Sequence, residues 1–290
     1  MATATQWLSA SRPRTLPAAI APVLVGSGAG FAVGHLIWWK ALLALVVSLA
    51  LQVGVNFAND YSDGIRGTDE VRVGPMRLVG SGAAAPGQVK LAAFACFGLA
   101  GLAGLALAAV TTWWLLPFGV AAVAAAWFYT GGPKPYGYAG FGEIFVFVFF
   151  GLLAVLGTMY VNSGRITATS VAAAIGIGLL ACALLMINNL RDVATDAVSG
   201  KRTLAVLLGD RLARSVLVLT IAGAYLAVVV IGIRHPWCLL GLLSAPLAVV
   251  PIRQVLGGDK GLTLIRALGA IGRLEFVYAV LITIGLALGR

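Results

Sequence analysis

From Leu91 to Pro133 the chain carries no charged side chain. One bilayer crossing takes about 20 apolar residues, so a run of this length predicts two spanning helices with a turn between them. The turn is placed at residues 111–114, where Thr111, Thr112, Trp113 and Trp114 cluster. Residues 15–39, 41–58, 144–164, 166–190, 215–233, 235–252 and 274–289 are seven further apolar segments, the last the shortest, with Glu275 near its start. Nine helices are therefore expected. The chain is 60% hydrophobic and 10% charged, and its runs are too long and continuous for barrel strands. Only helices and closed barrels satisfy backbone groups in lipid. The predicted fold is an all-α integral membrane bundle in the lipid bilayer, a single domain over residues 1–290.

The basic residues orient this bundle. With the N-terminus inside, the outer side holds only Lys40, Arg165, Arg234 and Arg290 of the twenty Lys and Arg. Cytoplasmic loops carry such an excess, so the N-terminus is predicted to be cytoplasmic. The net charge of +10 is then mainly a topology signal and calls for no nucleic-acid partner. No cleavable signal pattern is expected at the start. Cys96, Cys182 and Cys238 stand singly in apolar stretches without metal-ligand spacing, as buried small hydrophobes do. His35 and His235 both fall on the predicted outer side, which argues against a histidine base for chemistry at the inner one.

Seven of the ten acidic residues lie in two short segments, each at the predicted inner end of an apolar stretch. The first contains Asn56, Asn59, Asp60, Asp63, Asp69 and Glu70; the second contains Asn188, Asp192, Asp196 and Asp210. In a helix Asn56, Asp60 and Asp63 share one face, and so do Asn188, Asp192 and Asp196. Carboxylates at the membrane edge are costly and read as functional. Both clusters offer oxygen only, which suits Mg²⁺, a cation usually held by one or two carboxylates plus water and substrate phosphates. Asn56, Asp60 and Asp63 are the expected ligands of one ion, and Asn188, Asp192 and Asp196 those of a second. Around the same mouth stand Arg12, Arg14, Arg66, Arg72, Arg77, Lys134, Lys201 and Arg202. With metal between carboxylates and substrate, such a mouth would trap a diphosphate.

These paired motifs resemble those of the UbiA-type intramembrane aromatic prenyltransferases. The first family motif is similar to Asn59, Asp60, Asp63, Gly67 and Asp69, and the second to Asp192 and Asp196 with the trailing Gly200, Lys201 and Arg202. Arg12-Pro13-Arg14-Thr15-Leu16, Gly74-Pro75-Met76-Arg77 and Tyr129-Thr130-Gly131-Gly132-Pro133-Lys134 resemble the branch that acts on 1,4-dihydroxy-2-naphthoate in menaquinone synthesis. The resemblance runs from Trp7 to about Gly209. It implies a central intramembrane cavity and Mg²⁺-dependent transfer of the prenyl group of a polyprenyl diphosphate to the naphthoate ring, with loss of diphosphate and CO₂. It implies catalytic roles for Asp60, Asp63, Asp192, Asp196 and Lys134. Substrate contacts are expected from Arg12, Arg14, Asn56, Asn59, Tyr61, Arg66, Asp69, Arg77, Tyr129, Glu143, Tyr160, Asn188 and Lys201. Phe145, Phe149, Tyr129 and Tyr160 are candidates to face an allylic cation. The resemblance also implies a multi-pass protein of a bacterial cell membrane with the mouth cytoplasmic.

Two other readings fit parts of the pattern. The same diphosphate machinery serves other aromatic acceptors such as 4-hydroxybenzoate. A cation-coupled transporter would also carry intramembrane carboxylates, but near the midplane and on broken helices.

Overall fold

The computed structural model describes residues 2–68 and 76–290. Among these the secondary structure is entirely helical, in chain order α1 (Ala4–Ala10), α2 (Pro17–Ala32), α3 (Trp38–Ile65), α4 (Pro86–Ala109), α5 (Leu115–Phe128), α6 (Gly142–Ser163), α7 (Ala168–Val198), α8 (Leu204–Gly232), α9 (Pro236–Leu256) and α10 (Gly261–Leu288). Seven of these, α3, α4 and α6 to α10, are long and apolar enough to cross a membrane. An eighth crossing is made if α1 and α2, bent by 51° at Leu16, act together. Of the nine expected helices the one that falls short of a full crossing is α5, with 14 residues, whereas the last, expected to be the shortest, is the 28-residue α10. The uncharged run does turn at residues 110–114, but α5 stops early because the chain bends at Gly131, Gly132 and Pro133.

Local signals set the helix ends. Pro17 and Pro86 open α2 and α4, where the missing N–H costs nothing. Thr167 caps α7, its Oγ1 accepting from the Ser170 N–H at 3.1 Å. Gly164, at φ +64°, closes α6. Two helices start earlier than hydropathy suggests. The α8 helix begins at Leu204 and runs through a break at Gly209, and α10 is regular from Leu264, which puts Glu275 in mid-helix. For α8 the physical reason is pairing. Arg214 lies in α8 and donates to Asp210 at 2.8 Å and to the Val255 and Asp259 carbonyls, so charge there ties α8 to the end of α9.

The helices close into a ring: α3 packs on α4, α7 on α8, α9 on α10, and α10 returns against α2. The largest apolar core lies among α2, α6, α7, α8 and α10, around Ile177, Leu180, Leu217, Ile221, Ile271 and Tyr278. Where α6 crosses α7, Gly151 meets Gly178 so closely that a Cβ on Gly151 would sit 2.5 Å from the Gly178 Cα. Small residues at such crossings let backbones approach. In the same stretch, residues 147–153 of α6 widen into a π-helix, an irregularity common at functional sites.

Candidate active site

A chamber of about 910 Å³ lies between α3, α4 and α5 on one side and α6 and α7 on the other. Its body is apolar, built from residues such as Ala44, Leu51, Val123, Phe145, Phe149 and Leu184. One end is polar. There the last turns of α3 and α7 meet the N-terminal segment, the turn at residues 129–141 and the link at residues 199–203.

Both clusters are helical, as their spacing requires. On α3, Asn56 donates to the Ser11 carbonyl at 2.9 Å, and Asn59 accepts from the Thr130 hydroxyl at 2.7 Å. Asp63 is 3% exposed and gathers three partners. The Tyr138 hydroxyl donates to its Oδ1 at 2.6 Å, Lys201 Nζ lies 3.1 Å from Oδ2, and Arg77 Nη2 lies 3.5 Å from Oδ2. Burial, and then the Asp63 carboxylate, push the Tyr138 phenol above its ordinary range, so it stays a donor. The Lys201 ammonium also sits over the Tyr138 ring, 4.8 Å from its centre. On α7, Arg191 grips Asp192 with two hydrogen bonds of 2.7 and 2.6 Å. Arg12 reaches the chamber from a left-handed backbone, φ 53°, the only such non-glycine among the described residues. Strain of that kind persists where surrounding structure enforces it, often at functional sites.

The structure brings Arg12, Asn56, Asn59, Asp63, Arg77, Tyr129, Asn188, Asp192, Asp196 and Lys201 onto the chamber wall, with Phe145 and Phe149 beyond them. Other expected site residues are placed elsewhere. Asp60 is fully buried off the chamber, its two oxygens accepting the Leu78 and Val79 N–H groups at 2.8 and 3.0 Å. Lys134 is exposed and outside the wall: the flanking Pro135 is buried and Arg66 holds the Gly132 carbonyl, which turns position 134 outward. Arg66 itself binds the Thr130 and Gly132 carbonyls. Tyr61 stacks on Trp127, and Arg14 is exposed beside the buried Thr15. Tyr160 lies three residues from the far end of α6. Glu143 reaches from α6 to Asn189 at 2.8 Å. Asp69, with Glu70, Arg72, Gly74 and Pro75, lies outside the described residues.

Three contributors went unselected by sequence reasoning. Tyr138 lies four residues beyond the segment at residues 129–134 and Arg191 inside the second acidic one, so proximity in sequence was the available signal. Asn189 had only its place beside Asn188.

The donor set on the wall is oxygen from Asp63, Asp192, Asp196, Asn56, Asn59 and Asn188, on facing helices. Among the described residues no three His, Cys, Asp or Glu side chains are gathered closely enough to hold a metal ion by themselves. The fit to Mg²⁺ rests on the oxygen donors, since that cation completes its shell with waters and substrate phosphates.

Residues 19–267 match the model of the UbiA prenyltransferase family. The chain belongs to that family. Over its full length it is 50% identical to a 1,4-dihydroxy-2-naphthoate octaprenyltransferase of Mycobacterium tuberculosis, covering 99% of that protein. A protein of the same name from Escherichia coli is 39% identical, over 86% of this chain and 84% of that one. The fold resembles that of a UbiA homolog from Archaeoglobus fulgidus bound to GPP and Mg²⁺, with TM-score 0.68, 17% identity and coverage of 96% and 99%. It also resembles the apo structure of a UbiA homolog from Aeropyrum pernix K1, with TM-score 0.71, 14% identity and coverage of 92% and 97%.

Proposed function

We propose that this protein transfers the prenyl group of a polyprenyl diphosphate to 1,4-dihydroxy-2-naphthoate, releasing diphosphate and CO₂, as one polytopic domain in a bacterial cell membrane. The observation that carries this reading is the single chamber: a mouth of paired carboxylates and cations opens straight into an apolar space. The naphthoate relatives at 50% and 39% identity support the choice of acceptor.

The residues divide the work by chemistry. Asp63, Asp192 and Asp196, with Asn56 and Asn188, would hold Mg²⁺. When bound, the metal supplies positive charge where the departing diphosphate becomes more negative. Arg12 and Arg77 offer planar forks to phosphate oxygens and Lys201 a point charge. Tyr138 fixes the orientation of Asp63 by donating to one oxygen and leaving the other to Lys201. The apolar body seats the isoprenoid and keeps water from the allylic cation. Phe145, Phe149 and Tyr129 lie on the same wall, where an aromatic ring contributes about 0.5–2 kcal/mol toward a cation. The naphthoate ring forms a carbon–carbon bond to the allylic carbon as the bond to diphosphate breaks, and the ring's carboxyl group leaves as CO₂.

Inside-positive charge bias supports a cytoplasmic mouth, since Arg12, Arg77, Lys201 and both clusters occupy one end of the bundle. The test is purified protein with Mg²⁺, a polyprenyl diphosphate and a panel of aromatic acids, products identified by mass. Prenylated, decarboxylated product from the naphthoate alone is the expected result. Preference for 4-hydroxybenzoate would transfer the reading to another acceptor class.

A further inference from the structure

Glu143 stands behind the chamber wall, not on it. It is 7% exposed, and it lines a separate apolar groove of about 260 Å³ with Ile144, Phe147, Leu179 and Met186. A carboxylate in the first turn of a helix is favoured by the helix dipole, but that accounts for the residue type and not for where its side chain goes. The Glu143 carboxyl crosses to α7, and its Oε1 accepts from Asn189 Nδ2 at 2.8 Å. Its Oε2 finds no hydrogen-bond partner among the described residues. The Cys182 thiol donates to the Glu143 carbonyl at 3.2 Å, pinning the start of α6 to α7.

Asn189 is 9% exposed and lies on the chamber wall. Asn189 Nδ2 is the amide atom that faces Glu143, donating to its carboxyl oxygen. With the nitrogen turned toward Glu143, the carbonyl oxygen is left for the chamber side. Asn189 shares a helix face with Asp192 and Asp196, three and seven residues further on. At about 1.5 Å per residue it lies about 5 and 10 Å further along α7 from the diphosphate end, on the side of the carboxylates where the chamber turns apolar.

We propose that Glu143 is a positioning residue, holding the Asn189 amide so that its carbonyl oxygen accepts a hydrogen bond from a ring hydroxyl of the aromatic acceptor. This rests on the aromatic prenyl transfer argued above. A dihydroxylated ring presents donors, and an amide oxygen held by a buried partner is a fixed acceptor for one of them. The contact would also favour the ring orientation that exposes its nucleophilic carbon to the prenyl group.

The test is steady-state kinetics of the full-length protein, varying each substrate separately. Asn189→Ala and Glu143→Met should raise the KM for the naphthoate about tenfold, the scale of one lost hydrogen bond, and leave the KM for polyprenyl diphosphate unchanged. Glu143→Gln keeps an acceptor oxygen and should stay within about twofold of wild type. The double variant Glu143→Met with Asn189→Ala should be no worse than Asn189→Ala alone, because one residue acts through the other. Additive losses, equal shifts for both substrates, or a wild-type naphthoate KM in Asn189→Ala would each overturn the proposal. If Glu143→Met cannot be recovered folded, Asn189→Ala and Glu143→Gln decide it on the same criteria. A wild-type protein that prenylates no aromatic acid would instead defeat the functional reading beneath it.

Discussion

Asp60 and Asp63 are three residues apart on α3 and meet different surroundings. Asp60 is enclosed by backbone, its carboxylate tying down the Leu78 and Val79 N–H groups, while Asp63 faces the chamber among Tyr138, Lys201 and Arg77. Hydrogen bonds to a charged acceptor are worth about 1.5–3 kcal/mol each. Asp60→Ala should therefore lower thermal stability and open the segment after residue 76 to limited proteolysis. Asp63→Asn should abolish turnover with little change in melting temperature. If the two variants behaved alike in both assays, the division between anchor and site would be wrong. The cations separate in the same way. Lys201→Ala should cut turnover about a hundredfold, on the scale of one lost contact to developing charge. Lys134→Ala, exposed and off the wall, should keep wild-type turnover.

At the scale of helices, buried polarity and close crossings set what can change. Glu275 is fully buried in mid α10, and neither of its oxygens has a hydrogen-bond partner among the described residues. Replacing an unsatisfied buried polar group with an apolar one of similar size removes a desolvation cost of about 1–3 kcal/mol. Glu275→Leu should raise the melting temperature in detergent and preserve turnover. Gly151→Val should do the reverse, since its side chain would enter the Gly178 backbone, whereas Gly98→Ala meets nothing within 4 Å and should be silent or slightly stabilising. Much of this level was legible in the sequence. The helices α3 and α7 and the shared faces of their Asn and Asp residues follow from spacing alone. The early starts of α8 and α10 were hidden, because hydropathy treats Arg214 and Arg273 as breaks and cannot see the fold around them. The assignments of Asp60, Lys134 and Glu143 depended on contacts distant in sequence, with Leu78, Arg66 and Asn189, and no local pattern encodes those.

For the whole molecule, the two acidic motifs belong to one site because the bundle returns on itself. The α3 and α7 helices end on the same side, and Tyr138 and Lys201, from two different links, both reach Asp63. This predicts a single sidedness. In a variant lacking Cys96, Cys182 and Cys238, a cysteine replacing Lys260 should react with an impermeant thiol reagent only from the cytoplasmic side, and one replacing Arg165 only from the other. The central claim is that these carboxylates act on a diphosphate through a divalent cation. The most direct measurement is prenylated product formed by the purified wild-type protein in excess chelator and after Mg²⁺ is restored. The account predicts no product with chelator and full recovery with Mg²⁺; undiminished turnover in chelator would contradict it.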